Sequence, residues 1–251
     1  MKKSIQSVFL AFAVLTVLLS GCAPAPTPIS PTSSLKLAKP EDVGLTWQEC
    51  AISQGFDWKQ AETCFGHPRP LWDESERAHF GNRLDMEGFQ LIIGQDVYRA
   101  SLSGSLFRSF GKEKYTLYKN GKVIQSLYGE FTAYSPNVFL QNVGGKAVWE
   151  FSDGKTATII YDGLDVRQLY GIDKAYRPYG LDDRLIFIGQ KDSKYFVVYD
   201  SWKIGPDFDE IAIAYCCEPV QWSVQYGQGK YLFWGSRDGQ RYVVEIALRE
   251  K

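Results

Sequence analysis

Carboxylates are the side chains of this sequence that could do chemistry, and they are densest at Asp207, Asp209 and Glu210. Such oxygen ligands suit a hard cation such as Ca²⁺, yet the segment lacks the glycine and the later bidentate glutamate of a helix-loop-helix calcium site. We interpret it as an acidic turn before a strand and expect no metal or other cofactor. A pair of catalytic acids stays open as an alternative, because glycosidase carboxyls are defined by their separation in space.

Other catalytic groups are scarce. The sequence has two histidines, His67 and His79, and it contains no Gly-x-Ser-x-Gly, His-Glu-x-x-His or Walker motif. We therefore expect a protein without catalytic residues of its own. Trp202 and Trp222 lie near expected strand ends, where an indole ring can stack on a sugar or a peptide, so both are candidate ligand contacts.

The first 22 residues look like an export signal, with Lys2 and Lys3 ahead of an apolar run over 8–19. The segment Leu19-Ser20-Gly21-Cys22 resembles the lipobox of bacterial lipoproteins. The resemblance implies cleavage before Cys22 and its acylation, with a membrane anchor facing the periplasm or cell exterior. The residue after Cys22 is Ala23. An Asp at this position would resemble an inner-membrane retention signal, so Ala23 favours the outer membrane if the bacterium has two membranes.

Five cysteines are present, and removing a lipidated Cys22 leaves four in an oxidising compartment. Cys50 and Cys64 enclose a loop of about 15 residues, for which a disulfide would contribute about 3 kcal/mol. We favour this pair. For the adjacent Cys216 and Cys217, reduced thiols, a strained vicinal bridge and cross-links to the first pair all stay open.

These candidates must be positioned by a β-rich domain, because the apolar pattern beyond residue 86 has a period of two. Four dipeptides predict hairpin turns between β-rich arms, since a type I′ turn needs positive φ at both central residues. They are Asn120-Gly121, Asp153-Gly154, Asp192-Ser193 and Asp238-Gly239. Single strands are expected between them over 131–134, 138–143, 168–172, 211–215 and 222–226.

Residues 189–198 align without gaps on residues 235–244, and the four turns are 33, 39 and 46 residues apart. The repeats resemble those of bacterial WD40-like and TolB-like propeller proteins over about residues 105–247, a spacing near that of a four-stranded blade. Counting the four hairpins, with 89–102 as a fifth, predicts four or five complete or incomplete blades. An irregular meander or sandwich is the alternative architecture. The segments 215–219 and 231–235 also resemble bacterial lipoproteins without a known activity.

The expected order of the chain is a signal over 1–21, a lipidated cysteine and Pro/Ser-rich tether over 22–40, a helical preface over 41–85 and a propeller-like domain over 86–251. Within the preface, Thr46 predicts the cap of a helical turn over 47–52, and Asp57 predicts the cap of another over 58–65. A third turn is expected over 73–80.

The balance of charges limits the kinds of partner that we expect. Without residues 1–21 the chain has 26 basic and 29 acidic residues, which argues against nucleic acid as a partner. We expect an envelope binding or scaffold module, anchored through its lipid, with an envelope protein, a peptide or a glycan as its partner. A secreted glycoside hydrolase using two carboxylates is the alternative.

Overall fold

The computed structural model describes residues 34–53, 58–66, 90–103, 112–130, 137–152, 157–213 and 224–250, and most of these form β-strands. Within these ranges no helix is long and apolar enough to cross a membrane. A 3₁₀ helix spans Pro40–Val43, and the α-helices are α1 (Trp58–Phe65) and α2 (Val166–Tyr170). The strands are β1 (Lys36–Ala38), β2 (Leu45–Ile52), β3 (Gln90–Ile93), β4 (Asp96–Ser103), β5 (Lys112–Lys119), β6 (Lys122–Glu130), β7 (Asn137–Val143), β8 (Lys146–Ser152), β9 (Ala157–Tyr161), β10 (Leu164–Asp165), β11 (Lys174–Leu181), β12 (Arg184–Lys191), β13 (Lys194–Tyr199), β14 (Trp202–Phe208), β15 (Glu210–Ile211), β16 (Gln225–Gly227), β17 (Lys230–Arg237) and β18 (Gln240–Leu248).

Four sheets follow one another along the chain, which confirms the all-β prediction. Sheet 1 has the order β3-β4-β5-β6, and sheet 2 has the order β7-β8-β9-β10. Sheet 3 has the order β11-β12-β13-β14, with β1 added in parallel on β14. In sheet 4, β15 and β16 pair with β17, which is followed by β18 and β2. The fifth hairpin predicted over 89–102 is formed by β3 and β4, which make up half of sheet 1.

Two-residue turns with positive φ at both positions connect many neighbouring strands, because this conformation matches the twist of a hairpin. The predicted turns at Asn120-Gly121, Asp192-Ser193 and Asp238-Gly239 are confirmed. The fourth, Asp153-Gly154, lies outside the described residues. The sequence repeat is also a repeat of strand pairing. Lys191 pairs with Lys194 in sheet 3, and the residues 46 positions later, Arg237 and Gln240, pair in the same way in sheet 4.

The core consists of clusters between consecutive sheets. Trp149 is fully buried between sheets 1 and 2. Phe187 is buried between sheets 2 and 3, and Phe233 between sheets 3 and 4. Trp234 lies on the other face of sheet 4 and packs with Ala61 of α1. The described chain thus packs each sheet on the next, and α1 covers the far face of the last one.

The helical turn predicted over 47–52 is wrong, because this segment belongs to strand β2. All eight of its residues pair with β18, from Leu45 opposite Leu248 to Ile52 opposite Arg241. The pairing partner is distant in sequence, so local capping signals around Thr46 were misleading. The helix predicted over 58–65 is confirmed as α1, whereas the turn predicted over 73–80 lies outside the described residues.

Of the single strands predicted between hairpins, 138–143 is confirmed within β7. The strand predicted over 168–172 is wrong, because this segment belongs to α2 and its end. Asp165 caps α2 by accepting a hydrogen bond from the Arg167 N–H, and Gly171 ends it at φ 65°. Strands β15 and β16 fall within the predicted ranges 211–215 and 222–226 only in part, and 131–134 lies outside the described residues.

The predicted disulfide between Cys50 and Cys64 is present, with Cα atoms 6.0 Å apart. It fixes β2 to α1, because Cys50 lies on the strand and Cys64 on the helix. The other predicted cysteine sites, Cys22, Cys216 and Cys217, lie outside the described residues.

We expect the variant Cys50→Ala/Cys64→Ala to lose about 3 kcal/mol of unfolding free energy, since its unfolded chain is no longer cross-linked. Urea denaturation without reductant measures the loss, and adding reductant should lower the wild-type midpoint towards that of the variant. An unchanged midpoint in the double variant would contradict this role.

Candidate functional site

A buried polar centre lies where β8, β11 and β17 come together. Strand β11 is irregular there, because its pairing with β12 shifts register between Tyr176 and Tyr179. Arg177, inside the irregularity, has φ 53°, an uncommon conformation for a residue with a side chain. A bulge of this kind releases backbone groups from the ladder, and they then need other partners.

Side chains from two neighbouring sheets supply these partners. The Arg177 N–H donates to Glu150 Oε1 of sheet 2 at 2.6 Å, and the Tyr231 hydroxyl of sheet 4 donates to the Arg177 carbonyl at 2.7 Å. Glu150 is 2% exposed and Tyr231 is fully buried. One residue of sheet 3 is therefore bound to both adjacent sheets. We name Glu150, Arg177 and Tyr231 the polar centre.

Further contacts between the first strands of the sheets surround the polar centre. Gln141 of β7 donates its amide N–H to the Pro178 carbonyl of β11 at 2.8 Å. The rings of Tyr179 and Tyr226 stack at a centroid distance of 4.8 Å. Burial raises the pKa of Tyr231 well above its usual value, so its phenol stays protonated and acts as a donor. These groups hold the released backbone of Arg177 in place.

A second site is an open cleft between β14 of sheet 3 and β2, the last strand of sheet 4 among the described residues, with a volume of about 870 Å³. We name it the Trp47 cleft. One wall is β2, from Leu45 to Glu49, and another includes Gly205 and Pro206 of β14. The remaining lining residues are Pro40, Glu41, Arg237 and Arg249. Aromatic, acidic and basic groups thus meet in one concave surface, as is common in binding sites.

Trp47 is fixed in the cleft. Its indole N–H donates to Glu49 Oε1 at 2.8 Å, and its ring lies against Gly205, where a Cβ atom would come within 2.4 Å of a ring carbon. Phe208 and Phe233 contact other parts of the ring, at centroid distances of 6.5 and 6.1 Å. Gly205 has φ 67°, so both its conformation and its lack of a side chain are required here.

A two-pronged ion pair continues from Glu49. Arg237 donates to the two Glu49 carboxylate oxygens at 2.9 and 2.6 Å, and its guanidinium lies 4.6 Å from the Tyr242 ring centroid. The Glu49 carboxylate raises the pKa of Arg237, which keeps the guanidinium charged. The arrangement presents fixed charges beside an indole, which suits recognition of a polar ligand.

The acids singled out in the sequence do not converge on one point. Asp207 pairs with Lys203, whereas Asp209 pairs with Lys194 and accepts a hydrogen bond from the Asp238 N–H at 2.9 Å. Glu210 pairs with Ser236 in a short strand at the edge of β17. Across the described ranges, no three metal-binding side chains gather into one ligand set.

Asp209 instead stabilises a hairpin turn, and the same arrangement occurs in two sheets. Its N–H donates to the Ser236 carbonyl, and its carboxylate holds the Asp238 N–H of the β17–β18 turn. In sheet 3, Asp173 binds the Gln190 carbonyl and the Asp192 N–H in the same way. The carboxylate satisfies a turn N–H that the hairpin leaves without a ladder partner.

Lys194 and the Asp238 N–H hold the pKa of Asp209 below its ordinary value of 3.8. This carboxylate therefore contributes stability above that ordinary value, and the contribution is lost as the pH falls through the lower pKa of the folded state. We expect Lys194→Met to raise the pKa of Asp209 in an NMR titration. A titration curve that does not move would show that Lys194 has no influence on this carboxyl.

Of the two tryptophans predicted as ligand contacts, the structure describes only Trp202. Trp202 begins β14 and is partly buried, with the Lys36 ammonium of β1 located 5.3 Å from its ring centroid. The chain itself thus occupies one approach to this ring. Trp222 lies outside the described residues. Sequence reasoning missed the polar centre and Trp47, although the aromatic content of the chain was a general signal.

No family model, no curated protein and no solved structure matches this chain.

Proposed function

We propose that this protein is a lipid-anchored envelope protein whose β-rich head is a binding or scaffold module. The lipobox-like segment ending at Cys22 supports the anchor, and the Pro/Ser-rich residues after it suit a tether. For the head we propose a propeller-like arrangement with four blades. Four consecutive meanders support it, each packed on the next, as does the completion of sheet 4 by β2 from the other end of the domain.

The Trp47 cleft is the observation that carries the binding function. Its walls belong to two sheets, and the contacts of Trp47, Glu49 and Arg237 hold its aromatic and charged groups in place before any ligand arrives. Such preorganisation lowers the entropy cost of binding. A protein, a peptide or a glycan of the envelope is the expected ligand.

Two measurements on the full chain test this function. Palmitate labelling and membrane fractionation compare the wild type with Cys22→Ser, which should lose both the label and the membrane fraction. Crosslinking in intact cells compares the wild type with Arg237→Ala, and Lys119→Ala serves as a control because it breaks the exposed ion pair with Asp96 in sheet 1. A partner that is lost only in Arg237→Ala supports the proposal. Absence of any crosslinked partner or glycan-array ligand contradicts it.

A glycoside hydrolase is the second candidate, favoured by the presence of Glu41 and Glu49 in the same cleft as Trp47. Two carboxyls beside an aromatic ring are the groups that such an enzyme needs. Chromogenic glycosides and cell-wall polysaccharides test it. Under this alternative both Glu41→Gln and Glu49→Gln abolish hydrolysis. Hydrolysis that is undetectable in the wild type excludes these substrates.

A further inference from the structure

The outer strands of the four sheets differ in how well they are protected from pairing with another chain. Strand β10 has two residues, and β14 is covered by β1 before it reaches Gly205 and Pro206. Strand β6 carries an irregularity where its pairing shifts register. Short length, coverage, proline and bulges are the usual protections of an exposed edge. Strand β2 is longer, contains no proline and pairs one to one with β18 over eight residues, although Leu45 at its start is buried.

The register identifies which backbone groups of β2 point away from sheet 4. The Arg249 N–H donates to the Gly44 carbonyl at 3.0 Å, so this is a hydrogen-bonded pair of the antiparallel ladder. Such pairs alternate with pairs whose groups point outward. The outward positions are therefore Leu45, Trp47, Glu49 and Ala51. Leu45 is buried, so the positions open to another strand are Trp47, Glu49 and Ala51. In the part of the chain that the structure describes, β2 is the last strand of its sheet.

The charge on β2 does not protect this edge either. Glu49 is its one charged residue, and the ion pair with Arg237 holds that side chain. The Trp47 cleft runs beside the same strand from Leu45 to Glu49. An open edge and a concave surface are thus found together at one place.

The chain itself shows that such an edge accepts an extended segment. Strand β1, a separate stretch of three residues, adds to β14 on the neighbouring sheet, with Leu37 opposite Lys203. The backbone hydrogen bonds of a strand addition do not depend on sequence, whereas side chains at every second position determine specificity. The same chemistry is available on β2.

We propose that an extended peptide segment of a partner protein binds by adding as a strand to the outer edge of β2. This inference rests on the proposed binding function and names its ligand class. The cleft beside β2 has a second wall at Gly205 and Pro206 and a volume of about 870 Å³, which suits a single extended segment better than the sheet edge of a second folded copy. Alternate side chains of the peptide face Trp47 and the neighbouring charged groups.

The probe is a library of random seven-residue peptides displayed on phage and selected against the full chain in detergent. Each selected peptide is then synthesised with one backbone N–H methylated at a time. In a strand addition every second N–H binds the protein. We expect affinity to fall at least about tenfold at alternate positions and to change little between them, as expected from the loss of one buried hydrogen bond.

Ala51→Pro tests the edge from the protein side. Its N–H points outward, so proline removes a donor of the edge and leaves the bonds to β18 in place. We expect peptide affinity to fall at least about tenfold in Ala51→Pro and to stay unchanged in the matched variant Ala51→Val. If Ala51→Pro does not fold, the methylation series on the wild type still decides the question.

The strand addition would be overturned if no library peptide binds, if methylation shows no alternation, or if the selected peptides bind Ala51→Pro as well as the wild type. A dimer that Ala51→Pro dissociates would also overturn it, since a second copy would then occupy the edge. A cellular partner lost in Arg237→Ala but retained in Ala51→Pro leaves the binding function standing and removes only this inference.

Discussion

Replacing Glu150 by alanine is expected to lower the free energy of unfolding by about 3 kcal/mol or more. The variant removes the acceptor of the Arg177 N–H inside the protein and leaves a cavity beside β11. Because Arg177 connects sheet 3 to sheets 2 and 4, the loss should appear as one cooperative shift of the whole transition. Urea denaturation monitored by tryptophan fluorescence measures it.

Two variants control for the nature of this contact. Glu150→Gln retains a carbonyl oxygen that can accept the hydrogen bond, so it should lose less unfolding free energy than Glu150→Ala. Tyr231→Phe removes one hydroxyl donor and should lose about 1 kcal/mol of unfolding free energy. Glu210→Ala removes an exposed carboxylate and should leave the midpoint nearly unchanged. If Glu150→Ala were as stable as Glu210→Ala, the polar centre would not hold the sheets together.

Gly205→Ala is the second variant with a large expected effect, about 2 to 4 kcal/mol of lost unfolding free energy. A methyl group at this position would approach three atoms of the Trp47 ring within 2.7 Å, and the backbone is left-handed at φ 67°. The indole must move, and its hydrogen bond to Glu49 moves with it. Chemical denaturation gives the loss, and a change in near-ultraviolet circular dichroism reports the displaced ring.

Gly239→Ala separates the two causes. Gly239 has φ 75° and no atom within 4 Å of an added Cβ, so this variant pays only the conformational cost, about 1 kcal/mol. Trp47→Leu tests the contact itself, because Gly205→Ala should cost less in that background. Equal losses for Gly205→Ala and Gly239→Ala would mean that the Trp47 contact contributes nothing.

Features set by neighbouring residues were predictable from the sequence. The turns at Asn120-Gly121 and Asp238-Gly239 were found because positive φ limits the residue types that such turns accept. The Cys50–Cys64 disulfide was found because the loop between these residues is short. The capping pair Asp165 and Gly171 also marked α2 in the sequence, although the prediction over 168–172 overlooked it.

Features set by distant residues were not predictable. Strand β2 was taken for a helical turn because its partner β18 lies at the other end of the domain. No local pattern marks Arg177 as a bulge, since its conformation depends on Glu150 and Tyr231 from other sheets. Trp47 likewise gains its position from Gly205, which belongs to sheet 3.

The pairing of β2 with β18 also bears on the order in which we expect the sheets to fold. Sheets 1 and 2 consist of strands that are adjacent in sequence, so each can form as soon as its own segment is available. Sheet 4 joins groups as far apart as Thr46 and Ala247, which are separated by 201 residues. A chain that is still emerging from the ribosome cannot close this sheet before β18 has been made. Its final strand therefore sets the moment at which the domain becomes complete.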